Sequence, residues 1–473
     1  MHRRTFVTAA VAGTALGLVP TLPAAAAGPY TTLDALQQAI DRAVPGDRLV
    51  LANGTYTVPA NRPIRVSGRN GTTAAPITIA AESKGGVVLQ GAKGFEFADS
   101  GNITVTGFAF RQSSTLEIPE SCSRIRLTRN DFRLTDTTGF HWLVVSGNDV
   151  KVDRNRFHDK STAGVFLVLD GPGADRQEVA KRLTVLRNHF SDHRYTGSNG
   201  GEAIRLGVSH RALGDADATV EYNLFERCDG DAEAVSVKSS GNTVRYNTLR
   251  DSRGGIVLRH GNGSTVEGNH LLDGGEGIRL YGNDHVVVNN HLTGLTGRAL
   301  VIGSGSTRDH YAGEPDSERT GHDACDRALV LHNTLAGNAG GLSGEERTYE
   351  PRNVVIADNL LVAERGTLVG LGRTTGFTWQ GNILWGAAAN GTAPAGGWRR
   401  VDPRLVRGAD GVNRLSAGSP AIGAAGYTGT RAVTEDVDGQ PRGTARDVGA
   451  DQYSTQPPVR RPLTTADVGP DAP

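Results

Sequence analysis

Two short apolar runs near the middle of the chain each end in a cation. "VSVKS" sets Lys238 after Val237, and "GIVLRHG" sets Arg259 after Leu258, with His260 directly behind it. The cations are 21 residues apart. Oxygen ligands lie close by: Asn199 and Glu202 in "SNGGEAIRLG", Asp231 and Glu233 in "GDAEAVSV". Carboxylates and an amide without a Cys or His partner suit Ca²⁺ better than zinc. A basic pair beside such a cluster suits an anionic ligand. It also suits removal of a weakly acidic C–H proton next to a carboxylate, where a cation stabilises the developing charge. Hydrolysis of a glycoside would ask for two carboxylates across the bond instead.

These residues become neighbours only if the 21-residue gap is one turn of a repeating fold. The chain carries such a repeat: an apolar residue, two variable residues, Asn, one variable residue, then Phe or Leu. Examples are "LTRNDF", "VDRNRF", "VLRNHF", "VEYNLF", "VRYNTL" and "VEGNHL". The asparagines are Asn130, Asn155, Asn188, Asn223, Asn247, Asn269, Asn290, Asn333 and Asn359, with Asn382 as a degenerate tenth. Their spacings are 25, 33, 35, 24, 22, 21, 43, 26 and 23. A base period in the low twenties with three longer gaps reads as a solenoid with inserted loops. Short Val/Ile strands separated by Gly and Asn turns predict an all-β, single-stranded right-handed parallel β-helix. The asparagines would stack from coil to coil as a structural ladder. Residues 32–44, "TLDALQQAIDRAV", show helical period and predict an N-terminal helical cap.

The period places side chains. Aligning 201–207, 231–239, 254–261 and 276–282 puts Ile204, Val235, Ile256 and Ile278 in one inward column, and Leu206, Val237, Leu258 and Leu280 in a second. Outward columns then hold Arg205, Ser236, Val257 and Arg279, followed by Gly207, Lys238, Arg259 and Tyr281. On this count Lys238 and Arg259 are side by side on adjacent coils. Like charges so stacked favour an anion between them. The alternative is a solvated basic face, with the acids simply pairing to Arg205 and Lys238.

The bulk numbers set the class. The 473 residues carry a formal net charge of zero, which argues against a nucleic-acid partner. Glycine is abundant, at 63 residues. "RRTF" followed by an apolar run and "LPAAAAG" predicts a twin-arginine export signal over residues 1–27, hence a secreted protein with no membrane span. Cys122, Cys228 and Cys325 are too few and too far apart for a disulfide framework; one bridge or three thiols both fit. Residues 28–452 read as one β-helix domain, with "LSAGSPAIGAAG" through "DVGADQY" as a closing cap. The Pro-rich residues 453–473 read as a disordered tail.

"NGGEAIRLG", "NLFERCDGDAEAVSVKSSGNTVRYNT" and "GGIVLRHGNGSTVEGNHLL" resemble polysaccharide lyase family 6, the alginate lyases and chondroitinase B. "LQQAIDRAVPGDRLVLANGTYT", "APITIAAE" and "ITVTGFAF" are similar to the family's opening coils. The resemblance runs from about residue 31 to about 390 and is strongest over 199–282. It implies a calcium-assisted lyase with Lys238 as Brønsted base and Arg259 as Brønsted acid. It implies calcium ligands at Asn199, Asp231 and Glu233, although the family's Glu-x-Glu pattern has Glu where this chain has the shorter Asp231; Glu202 ranks behind these three. Arg205, Arg279 and Tyr281 become subsite residues, and His260 a contact to substrate or to Arg259. Lys160, Arg308 and His310 are further subsite candidates. The implied partner is an anionic uronate polysaccharide, alginate first, acted on by a monomer. Dermatan sulfate is the alternative substrate, and a non-catalytic polysaccharide-binding β-helix the alternative class. The inserted loops 161–185, 207–217 and 303–325 would decide how open the groove is.

Overall fold

The computed structural model describes residues 28–173 and 178–473. The export signal expected over 1–27 lies outside the described residues. Helix α1 (Leu33–Ile40) begins where the periodicity placed it: the Thr32 hydroxyl accepts from the Ala35 amide at 3.2 Å and caps the first turn. Its buried Leu36 and Ile40 close the first coil.

The repeat then folds as a parallel β-helix. Three long parallel sheets contain 13, 14 and 11 of the described strands, and the chain visits them in turn. The inward columns form one continuous core. The Phe that ends the early repeats stacks coil on coil: Phe110 on Phe132 at 4.7 Å, Phe132 on Phe157 at 4.4 Å, and Phe190 on Phe225 at 5.0 Å. Each such pair contributes about 0.5–1.5 kcal/mol beyond its buried area.

All ten repeat asparagines are in the ladder. Asn247 is representative. Its Nδ2 donates to Asn269 Oδ1 at 3.0 Å and to the Val220 carbonyl at 2.9 Å; its Oδ1 accepts from the Asn223 backbone amide at 2.9 Å. Asn382 ends the ladder by accepting from the Asn359 amide at 2.9 Å. The residue before each ladder asparagine turns the corner in the left-handed region. Arg129, Arg154, Arg187, Tyr222, Tyr246, Asn289, His332 and Asp358 all have φ between 50° and 57°. This conformation costs an L-residue about 1–2 kcal/mol, so the ladder's bonds must hold it in place.

The C-terminal stretch corrects two expectations. It is neither an end cap nor a disordered tail, but a strap that runs back along the left-handed column. Gly426 and Tyr427 donate to Asp358, and the Asp447 carbonyl meets His332 Nδ1 at 3.1 Å. Arg442 reaches Asn289 at 2.9 Å, and Arg460 lies 4.1 Å from the Tyr246 ring. The Gly469 amide donates to the Arg187 carbonyl, and Arg154 and Arg129 hold the carbonyls of Pro473 and Ala472 at 2.8 Å. Leu463 and Val468 pack with Leu224 and Tyr222. A Pro-rich composition signals disorder only when nothing pairs its backbone; here the column does. The three cysteines are buried free thiols.

Candidate active site

The basic and acidic residues converge on the outer face of the third sheet. Its strands here are β1 (Ile204–Leu206), β2 (Glu233–Lys238), β3 (Gly255–His260) and β4 (Ile278–Leu280). The aligned columns are those expected: Ile204, Val235, Ile256 and Ile278 are partners, as are Arg205, Ser236, Val257 and Arg279.

One register corrects the count. The β2–β3 pairing shifts twice, so that Val237 faces Leu258 but Lys238 faces His260. Ala234 and Arg259 are the extra residues. Arg259 is therefore not the in-register partner of Lys238; it is bulged out of the ladder beside it. A bulge re-aims its side chain. Each cation is then held by an acid. Lys238 Nζ is 3.4 Å from Glu202 Oε1, and Arg259 Nη1 is 3.6 Å from Glu233 Oε1. Glu233 is fixed in turn by the Ser236 hydroxyl at 2.5 Å. The Lys238 side chain is 14 % exposed and that of Arg259 30 %, so both reach the groove.

Three carboxylates crowd its edge. Glu202, Asp231 and Glu233 are all buried. Asp231 accepts from the Gly200 amide at 2.9 Å, which ties it to the loop carrying the exposed Asn199. Burial first, then the charges of Glu202 and Glu233, push the Asp231 carboxyl up to about 6. Glu202 Oε2 is buried with no hydrogen-bond partner. An unpaired buried carboxylate oxygen near two further acids asks for a partner, and a cation would serve as one. An all-oxygen set of this kind fits Ca²⁺. Glu202, ranked behind the others by sequence, thus sits between Lys238 and Asp231, near enough to raise the Asp231 carboxyl.

His141 was not singled out by sequence. The strand that starts two residues after it pairs Leu143 with Leu167, and Leu167 pairs with Ile204, so carrying the column of Glu202 two coils upstream reaches His141. Its Nδ1 accepts from the Val165 amide at 3.0 Å, so the neutral ring carries its proton on Nε2. Burial, then Arg205, lower it to about 4. That Nε2 lies 3.1 Å from Arg205 Nη2.

Other candidates lie deeper than an outward position implies. His260 is 1 % exposed, and burial and Arg259 hold it neutral. Tyr281 was expected to face a sugar but is fully buried: His322, from the 303–325 insertion, packs 4.3 Å from its ring. Its hydroxyl donates to Glu345 at 2.8 Å, and Glu345 also pairs with Arg347. His310 is buried and pairs with Glu314 at 2.7 Å, while Arg319 bonds Glu314 and the His210 carbonyl. The two insertions thus lock together as a wall. Lys160 has no exposed side-chain surface; its amine donates to Thr162 at 3.1 Å and lies 5.6 Å from the Trp142 ring. Arg308 is half-buried against Tyr349 at 5.8 Å. Arg279 remains a partly exposed member of the groove. Tyr281, His310 and Lys160 therefore shape the walls rather than touch a ligand in this structure.

The family model described as chondroitinase B matches residues 31–363. Among solved structures, the PL6 family alginate lyase AlyGC is similar at 27 % identity with a TM-score of 0.69, covering 86 % of this chain and 59 % of its own. A mannuronic acid specific polysaccharide family 6 lyase from human gut microbiota aligns at 24 % identity and a TM-score of 0.68, over 79 % of this chain and 91 % of that one. A PL6 alginate lyase in complex with a trisaccharide aligns at 23 % identity and 0.66, over 82 % and 88 %. No curated protein sequence matches. The chain belongs to the chondroitinase B family of polysaccharide family 6 lyases, and it is a polysaccharide lyase.

Proposed function

We propose that the protein is an exported, monomeric alginate lyase that cleaves by calcium-assisted β-elimination. The observation that carries this reading is the pair Lys238 and Arg259, each held by its own acid beside the Glu202–Asp231–Glu233 cluster.

Asn199, Asp231, Glu233 and Glu202 would hold a calcium ion, which would supply positive charge to the uronate carboxylate and so acidify its C5 proton. Lys238 is the base that takes that proton. The C5–H electron pair forms the C4=C5 double bond, and the C4–O4 bond breaks. Arg259, re-aimed by the bulge, neutralises the departing O4 and passes it a proton. Water is not consumed, so the products are an unsaturated uronate end and a new free hydroxyl. Arg205, beside His141, and Arg279 three coils on are placed to bind flanking carboxylates.

The name of the matching family model favours dermatan sulfate as the second substrate. The test is direct: purified protein with Ca²⁺ is incubated with alginate or with dermatan sulfate, and the ultraviolet absorbance of the unsaturated uronate is followed. Alginate alone should give a rise. A rise with dermatan sulfate only would replace the substrate, and none with any uronan would reject the lyase reading.

A further inference from the structure

A cavity of about 210 Å³ lies far round the β-helix from the groove, between the left-handed column and the strap. The column reads Arg187, Tyr222, Tyr246, Gly268, Asn289; the Tyr246 ring packs over Gly268, where a Cβ would come within 2.8 Å of it, and the strap crosses this stretch to leave the cavity.

The walls are chemically selective. The rings of Tyr222 and Tyr246 lie 5.2 Å apart. Arg187 sits 5.8 Å from the first ring and Arg460 4.1 Å from the second. Arg187 makes no ion pair among the described residues; its Nη1 has only the Asp467 carbonyl, at 3.4 Å. His270, at the floor, is 3 % exposed, and its Nε2 has no partner. The Arg460 Nε–H is likewise buried and unpaired. Buried polar atoms left without partners ask for an explanation. Aromatic faces suit the C–H faces of a sugar ring, and a guanidinium fork suits a carboxylate.

We propose that this cavity is a second, non-catalytic binding site for one carboxylate-bearing sugar unit. It shares no residue with the groove, so it can be occupied while the groove is at work. The volume admits a single ring rather than a chain, which makes a chain end or a released monouronate the fitting ligand.

Sodium glucuronate is the probe, titrated into Lys238→Ala/Arg259→Ala protein so that the groove is disabled, with saturation-transfer NMR as readout. Binding should persist there and weaken at least tenfold when Arg187→Ala is added. Arg187→Gln gives the same test with less lost volume. Glucose should bind no better than to the Arg187 variants. Equal glucuronate binding with and without Arg187, or none in the groove double variant, would overturn the site. Phosphate binding as tightly as glucuronate would also overturn it, leaving an anion pocket with no sugar face. Arg187→Ala alone should keep full lyase activity, so this test and the lyase reading fail separately.

Discussion

The asparagine turn and the catalytic face are built on the same coils and are opposites in construction. Along the turn the register never slips, and each amide of the ladder is used. On the third sheet, β2 and β3 slip twice. Glu202 Oε2, Arg205 Nε, Arg259 Nε, His260 Nδ1 and Arg279 Nε all remain buried and unpaired there. The ladder spends its amides on the solenoid itself; the catalytic face leaves polar groups for a ligand. Stability and chemistry are thereby assigned to different edges of one repeating unit.

The largest test of that division is kinetic. Lys238→Ala should lower kcat by about 10²–10⁴-fold, the usual worth of a general base, while the thermal midpoint stays close to wild type. A steady-state assay with a parallel melting curve decides it; a midpoint that falls with activity would make Lys238 a structural residue. Next comes the acidic cluster. Chelation should remove most activity and added Ca²⁺ restore it, and Glu202→Gln should raise the Ca²⁺ concentration needed for half-maximal rate. Indifference to chelation would reject the metal.

Asn247→Ala should do the reverse of Lys238→Ala. It strips the Asn223 amide and the Val220 carbonyl of buried partners, at about 2–4 kcal/mol. Denaturant unfolding would register this, with activity per folded molecule unchanged. The smallest effect is expected in the groove wall. Asp136 accepts from the amides and hydroxyls of Ser161 and Thr162, which help hold its carboxyl down at about 2 against an ordinary 3.8. Its stabilisation is complete above about pH 4 and is lost as the pH falls through about 2. Melting temperatures of wild type and Asp136→Asn should differ by a degree or two at pH 7 and converge near pH 2, the site being exposed and screened. A constant difference across that range would reject the assignment.

The same contrast explains what could be read in advance. Regularity is legible: the ladder, the inward columns and the Arg205–Arg279 column follow from counting residues. The bulge at Arg259 is not, because the count between Val237 and Leu258 is the same with or without it. His141 lay within reach of the column argument but in coils whose repeat is interrupted. His322 and Glu345 arrive on insertions, whose path no period fixes. Residues 453–473 look disordered by composition because their order is borrowed from carbonyls and guanidinium groups hundreds of residues away.

That borrowing has a consequence for how the molecule is made. A solenoid can fold as it leaves the ribosome, each coil settling on the last. Here the arginines of the early coils, Arg129 and Arg154, wait for Pro470, Ala472 and Pro473, which are synthesised after every coil they join. A segment that emerges long after those coils fastens them. An assembly that grows by simple addition thereby also gains a long-range closure, made by residues synthesised well after the coils they join.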